Sequence, residues 1–247
     1  MKLFKADLHT HTVLSPCGDL EMSPLNIILK AKEKGIDILG ITDHNSTKNC
    51  KVLEEVAEEY DLFILKGTEV NTREEAHCLA FFESDDELSD FQQYIDEHLP
   101  NIKNDIKKFG YQVVVDKDEN ILEHVDRLLI SALDVSIEQI EKKVHELHGI
   151  FIPAHIDRSR YSIISQLGFV PGDLNFDALE LSKFVSGNDF VRNNGYLADY
   201  PLIQSSDAHF LENIGDCTTG FYLQNRSFDE VRQAFKKENN RKIILHE

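Results

Sequence analysis

The stretch Ile36-Asp37-Ile38-Leu39-Gly40-Ile41-Thr42 is a nearly unbroken apolar run, and it ends at once in Asp43-His44. Seven such residues are too few for a helix of their own and read as a buried strand. The segment before it reads as a helix, with Ser23 as N-cap, Pro24 at the first position and Gly35 as the stop. After it, Asn49–Tyr60 reads as a helix with a charged face. The same alternation recurs along the chain. Leu3–Leu8, Leu62–Gly67, Cys78–Phe82, Ile150–Ala154, Ala178–Leu181, Leu202–Ser205, Gly220–Leu223 and Lys242–Leu245 read as strands. The last helix opens on an expected capping box, Ser227 to Glu230. Strands of this kind alternating with helices predict a parallel sheet covered on both faces. Seven or so of them within 247 residues predict a closed or nearly closed barrel.

Residues 84–149 break the alternation and read as a mostly helical insertion. They hold 16 acidic and 7 basic residues, half of the net charge of −18. The plain reading is a solvated arm; the sharper one is a cap over the barrel mouth. The acidic balance and a pI near 5.0 argue against long nucleic acid or an anionic membrane as partner, since both call for a basic face. No apolar run approaches the length of a membrane span, and MKLFKADLHTH lacks the features of a signal peptide. The four cysteines, Cys17, Cys50, Cys78 and Cys217, are far apart and read as reduced thiols, so a cytoplasmic location is expected.

Chemistry-bearing residues gather where the strands stop. The first strand runs into Asp7-Leu8-His9-Thr10-His11, and alternation in extended chain predicts that Asp7, His9 and His11 share a face. Others run into Asp43-His44, Thr68-Glu69, Ala154-His155 and Asp207-Ala208-His209, and His77 opens the run HCLAFF. Each alone has an innocent reading: a lone His is a turn residue more often than a ligand, and Asp19 or Asp43 could cap a following turn. Together they stand where a parallel barrel places its site, and they suit a cluster of metal ions, with imidazoles as neutral ligands and carboxylates able to bridge. His98, His124, His145, His148 and His246 have no such context and read as structural. Neither a glycine-rich phosphate loop nor a GxSxG motif is present.

Taken together, DLHTHT, ITDHN, GTEVN, PAHIDR and SSDAH resemble the polymerase-and-histidinol-phosphatase (PHP) family of metal-dependent phosphoesterases, from Lys5 to about Gly215. The resemblance implies an α/β fold, a distorted TIM-like (β/α)7 barrel forming a single domain over 1–247, with the helical insertion 84–149 near its mouth. It also implies two to three divalent ions (Zn, Mn or Fe). One ion would be held by His9, His11, Glu69 and Asp207. A second would share Glu69 and take His77 and His155, and a third would use His44 and His209. Asp7 and Asp43 would orient ligands or nearby backbone. The chain departs from the family in the loop after HxH, where an Asp or His ligand is usual. Here Pro16 or Cys17 falls at that place, with Asp19 nearby, so Cys17 and Asp19 compete as substitutes.

The implied reaction is hydrolysis of a small phosphate ester, a phosphomonoester or nucleotide, by a metal-bridging hydroxide. Glu69, Asp207 and His209 are the expected catalytic residues. Arg158 is the candidate phosphate clamp, or else the partner of a local acid such as Asp157. Other readings are an exonuclease working from nucleic-acid ends, a histidinol-phosphate phosphatase, and a non-catalytic metal-bound module.

Overall fold

The computed structural model describes residues 1–245, so His246 lies outside the described residues. The chain opens with β1 (Lys2–Thr10), α1 (Pro24–Glu33), β2 (Ile38–Ile41), α2 (Cys50–Ala57) and β3 (Phe63–Asn71). These three strands pair in parallel, as the alternation predicts. Next come β4 (His77–Phe81), α3 (Asp85–His98), α4 (Ile106–Phe109), β5 (Val113–Val115), β6 (Ile121–His124), α5 (Ile137–Glu146) and β7 (Ile150–Pro153). The remainder is α6 (Ile163–Leu167), β8 (Leu179–Leu181), α7 (Gly187–Asn193), β9 (Leu202–Gln204), β10 (Thr219–Leu223), α8 (Phe228–Phe235) and β11 (Lys242–Leu245).

The main sheet has the order β11-β10-β1-β2-β3-β4-β7. Only β1–β2 and β2–β3 are parallel, whereas β3–β4, β4–β7, β1–β10 and β10–β11 are antiparallel. The expected parallel (β/α)7 barrel is thus replaced by a curled, mixed, seven-stranded half-barrel. The cause is visible at β3–β4. Residues 72–76 can form a hairpin but are too few for a crossover to a parallel strand. A separate parallel pair, β8–β9, lies between β7 and β1. It is tied to the β7 side by Asp177 N–H donating to Phe151 O and Ile156 N–H to Glu180 O. On the β1 side, His11 N–H donates to Ala208 O and Ala208 N–H to His9 O.

Two apolar cores flank the sheet. In one, Ala6, Leu8, Leu79, Phe81, Ile152 and Phe221 pack against Phe228, Val231 and Phe235 of α8. The other face is covered by α1, α2, α3 and α5, through residues such as Ile27, Leu53, Phe91 and Ile140. Each large side chain so buried contributes on the order of 1.5–3 kcal/mol, which makes these layers the main source of folding energy. Among the described residues no helix is long and apolar enough to cross a membrane.

Residues 84–149 are less helical than their composition predicts. Besides α3, α4 and α5 they contain the antiparallel pair β5–β6, formed by the apolar run Val113–Val115 and the exposed stretch Ile121–His124 around a turn closed by Glu119 N–H donating to Asp116 O. Helices α3 and α5 each carry a complete capping box, from Ser84 with Glu87 and from Ser136 with Gln139. At α8 only half of the expected box forms. Ser227 accepts from Glu230 N–H, but the Glu230 carboxylate is drawn instead to Gln224 N–H and Arg241. The Ser23 hydroxyl likewise donates to Glu119 of the insertion rather than capping α1.

Gly40 in β2 is demanded by close packing. A Cβ there would lie 2.3 Å from Leu8 O of β1. Gly40→Ala should therefore cost about 1–3 kcal/mol by forcing the strands apart, which lowers Tm by roughly 2–12 °C for a chain of this size. Gly172→Ala, with nothing within 4 Å of the added atom, should stay within about 0.5 kcal/mol. Thermal unfolding of the two variants side by side checks this, and equal melting points would refute the packing argument.

Candidate metal centre

The cluster forms where β1, β2, β3, β4, β7 and β9 end or begin. At its centre is Glu69, 1% exposed. Its Oε1 lies 2.8 Å from His77 Nδ1, 3.1 Å from His155 Nε2 and 3.4 Å from His9 Nε2. Its Oε2 lies 3.0 Å from His44 Nδ1 and 3.4 Å from His11 Nε2. One carboxylate therefore touches five imidazoles. Asp207 adds a second acid, with Oδ1 3.3 Å from His9 Nε2 and 3.4 Å from His11 Nε2. His209 stacks on His11 with ring centroids 4.1 Å apart. All eight expected metal ligands are thus brought together in one cluster, and all but His9 and His11 line a pocket of about 280 Å³.

The alternation expected for Asp7, His9 and His11 does not hold. Between Asp7 and Thr10 the register against β2 advances only from Leu39 to Ile41, so β1 carries one extra residue there. Such a bulge re-aims side chains. Asp7 accepts from Ser206 N–H and Gly215 N–H, pinning the loop that carries Asp207 and His209, while His9 and His11 face Glu69. Burial pushes the Asp7 carboxyl up to about 6, against the opposing pull of these hydrogen bonds. Asp43 caps no following turn. Its carboxylate accepts from Thr12 N–H, Thr12 Oγ1 and Ser15 Oγ.

These contacts settle where the imidazole protons sit. Ser15 Oγ gives its one hydrogen to Asp43 and accepts from His44 N–H at 3.1 Å. With Asp43 ionised, its remaining lone pair can only accept, so His11 Nδ1, 2.9 Å away, carries a proton. His9 Nδ1 lies 3.0 Å from Glu180 Oε2, which as a carboxylate only accepts. In their neutral forms both rings therefore direct Nε2 lone pairs inward, and these two nitrogens are 3.2 Å apart. Two facing lone pairs repel unless a cation or a proton lies at them. His155 Nδ1 is also buried without a partner. An orphaned donor set of imidazole nitrogens and carboxylates at this density fits divalent metal ions.

The electrostatics agree with that reading. Burial works to raise Glu69, but His77, His9 and His44 outweigh it and hold the carboxylate well below its usual range. Burial works to lower His9, but Glu180, Asp207 and Glu69 raise it well above an ordinary imidazole. His11 is pushed well down by burial and by His209 and His44. Protons and cations thus compete for one anionic pit.

Two of the expected ligands occupy backbone that L-residues rarely adopt: φ is +32° at His155 and +52° at Asp207. Strain of this kind, about 1–3 kcal/mol per residue, concentrates at functional sites. It also means that Asp207 and His209 converge through a turn, not through strand alternation.

Arg158 pairs neither with Asp157 nor with an acid of the insertion. Its Nη1 lies 2.7 Å from Asp207 Oδ2 at the pocket rim, while Asp157 holds Ser182. Cys17 also lines the pocket, beside His44 and His209. Against partial desolvation, those imidazoles bring its thiol down to about 6. Asp19 does not line this pocket and caps Glu21 N–H instead. His98 and His145 are bound to carboxylates elsewhere (Asp134, and Glu141 with Asp177), and His124 and His148 also lie outside the cluster.

Sequence reading missed Glu180, 2% exposed, which accepts from His9 and from His155 N–H. A signal existed, since a charge flanked by Leu179 and Leu181 in an apolar strand calls for a buried partner. It also missed Asn45 and Asn71. Asn45 Nδ2 donates to Leu129 O and Ser131 O, and Asn71 Nδ2 to Ile130 O. They hold residues 129–131 of the insertion along the pocket rim.

The PHP domain profile matches residues 7–156, and a PHP-associated profile matches residues 198–240. YqxK of Bacillus subtilis, an uncharacterized protein, is 30% identical over all of this chain and 65% of its own length. The lesion-specific endonuclease EndoQ of Pyrococcus furiosus shares the fold over 99% of this chain, with a TM-score of 0.75 at 20% identity. An Endonuclease Q complex with a 27-mer duplex bearing an abasic lesion gives a TM-score of 0.76 over 98% of the chain. This chain spans 65% of YqxK and 58% of either endonuclease structure.

The endonuclease overturns one expectation, that of a small phosphorylated partner with long nucleic acid excluded. A fold shared over nearly the whole chain accommodates duplex DNA at its active site. The error was physical: net charge averages over the surface, whereas phosphate binding depends on the local field where metal ions sit. With the PHP domain matched over residues 7–156 and the PHP-associated region over residues 198–240, the chain belongs to the PHP domain family.

Proposed function

We propose that this chain is a metal-dependent phosphoesterase and that its substrate is a phosphodiester in nucleic acid. The observation that carries the first part is Glu69, buried and within 3.4 Å of five imidazoles. His9, His11, Glu69 and Asp207 would hold one ion, Glu69, His77 and His155 a second, and His44 and His209 an outer one. Bound there, such ions lower the pKa of water toward neutrality and polarise phosphoryl oxygens.

The chain's own residues do the rest. Glu180 fixes the proton of His9 on Nδ1 and keeps Nε2 free as a ligand atom. Ser15 and Asp43 do the same for His11. Arg158, now on Asp207, is placed to turn its planar fork to a phosphate once a cation takes over that carboxylate. Of the two roles expected for His209, we propose ligation. Its Nδ1–H donates to Asp207 O, which leaves Nε2 with the lone pair a ligand needs.

Two features support nucleic acid as the substrate class. One is the likeness to Endonuclease Q across the whole chain. The other is Tyr161, 46% exposed at the pocket, with its ring 5.0 Å from His77 and nearly parallel to it. An exposed aromatic face beside a phosphate site is a stacking surface for a base.

Three outcomes are expected. Protein purified without chelator should contain at least two divalent ions per chain by elemental analysis. Glu69→Gln should lower turnover more than tenfold, a loss above about 1.4 kcal/mol, with the far-UV circular dichroism unchanged; a variant retaining more activity would disprove the central role of Glu69. Glu180→Gln should weaken metal affinity about 10–100-fold in a chelator competition, and an unaltered affinity would show that His9 needs no such partner. The substrate class is decided by kcat/KM on intact duplex DNA, abasic-site duplex, single strands and phosphomonoesters at one ionic strength. Cleavage confined to the monoesters would refute the nucleic-acid assignment while leaving phosphoesterase activity standing.

A further inference from the structure

We propose that Cys17 is a thiolate ligand which, with His44 and His209, makes the outermost metal position a soft one and selects thiophilic ions there. The proposal rests on the metal reading of the site above. Cys17 lines the same pocket wall as His44 and His209. His11, His44 and His209 each place a ring nitrogen within 4.8 Å of the others. His44 is 5% exposed, and its Nδ1, though 3.0 Å from Glu69 Oε2, has no partner in hydrogen-bond geometry. A buried nitrogen without such a partner, beside a thiol and two more imidazoles, is a donor set waiting for a cation.

Neither Pro16 nor Asp19 of the same loop lines the pocket. Pro16 has no ligand atom in its side chain. Asp19 Oδ1 accepts from Glu21 N–H, and Asp19 N–H donates to His209 O. Gly18 lets the loop curl tightly, since a Cβ there would lie 2.5 Å from Thr12 O. Cys17 is thereby left at the rim, exposed on one side and facing the imidazoles on the other. A sulfur donor favours Zn, Co or Fe over Mn and Mg, whereas the carboxylate-rich inner positions discriminate less.

Cobalt titration of the metal-stripped protein tests this, because thiolate bound to Co(II) absorbs in the near ultraviolet and imidazole or carboxylate ligands do not produce that band. Wild type should develop the band. Cys17→Ser should lose it, together with one Co(II) per chain, and keep the inner ions. Cys17→Asp should recover the third ion without the band and shift competition at that position toward Mn(II). A wild type that binds Co(II) without the band, or a Cys17→Ser protein with an unchanged spectrum, overturns the proposal and leaves the inner sites intact. Wild type that takes up no Co(II) at all overturns the metal reading itself, and the stoichiometry separates the two failures.

Discussion

Two imidazole nitrogens 3.2 Å apart, with their protons on the far sides of the rings, set the terms for the rest of the centre. Their mutual repulsion in the neutral state must be relieved by positive charge, and the surroundings are built to keep it from being relieved by rotation. Glu180 grips one ring from behind, and the Ser15–Asp43 pair grips the other. Asp7 ties down the loop that brings Asp207 and His209 over the top. Each of these holders is buried, so the hydrogen bonds it makes offset the cost of taking it out of water. Pre-organisation of this sort places the cost of assembling the ligands on folding, not on the binding of each ion.

That cost is met by the apolar layers on either side of the sheet, which explains how strained backbone at His155 and Asp207 persists. The division of labour is spatial. Leu8, Leu79 and Ile152 anchor the strand bodies, and the chemistry stands beyond their ends.

Much of this was legible from residue patterns. The strand positions were, because short apolar runs bounded by polar residues have few other readings. The clustering of the candidate residues was too, because six imidazoles at strand ends are hard to place otherwise. What escaped reading depended on non-local geometry. Pairing direction was lost because an apolar run does not say which way its neighbour lies; only the short β3–β4 connection carried that information. The bulge in β1 was invisible because its extra residue shows only against β2. Glu180 was hidden by standing 171 positions from the histidine it serves. Strands β5 and β6 went unread because the charged residues around them resemble a helical face.

Asn45 and Asn71 each follow a ligand by one or two positions, His44 and Glu69, and each spends its side chain on the carbonyls of residues 129–131. The insertion is therefore fastened to the very backbone that aims two of the ligands. Its exposed positions, such as those of β6, touch solvent and can change without disturbing that seam. Its inner rim cannot shift without tugging on His44 and Glu69. A ligand that gripped the arm would thus have a mechanical handle on the site, and the two asparagines are where the pull would arrive.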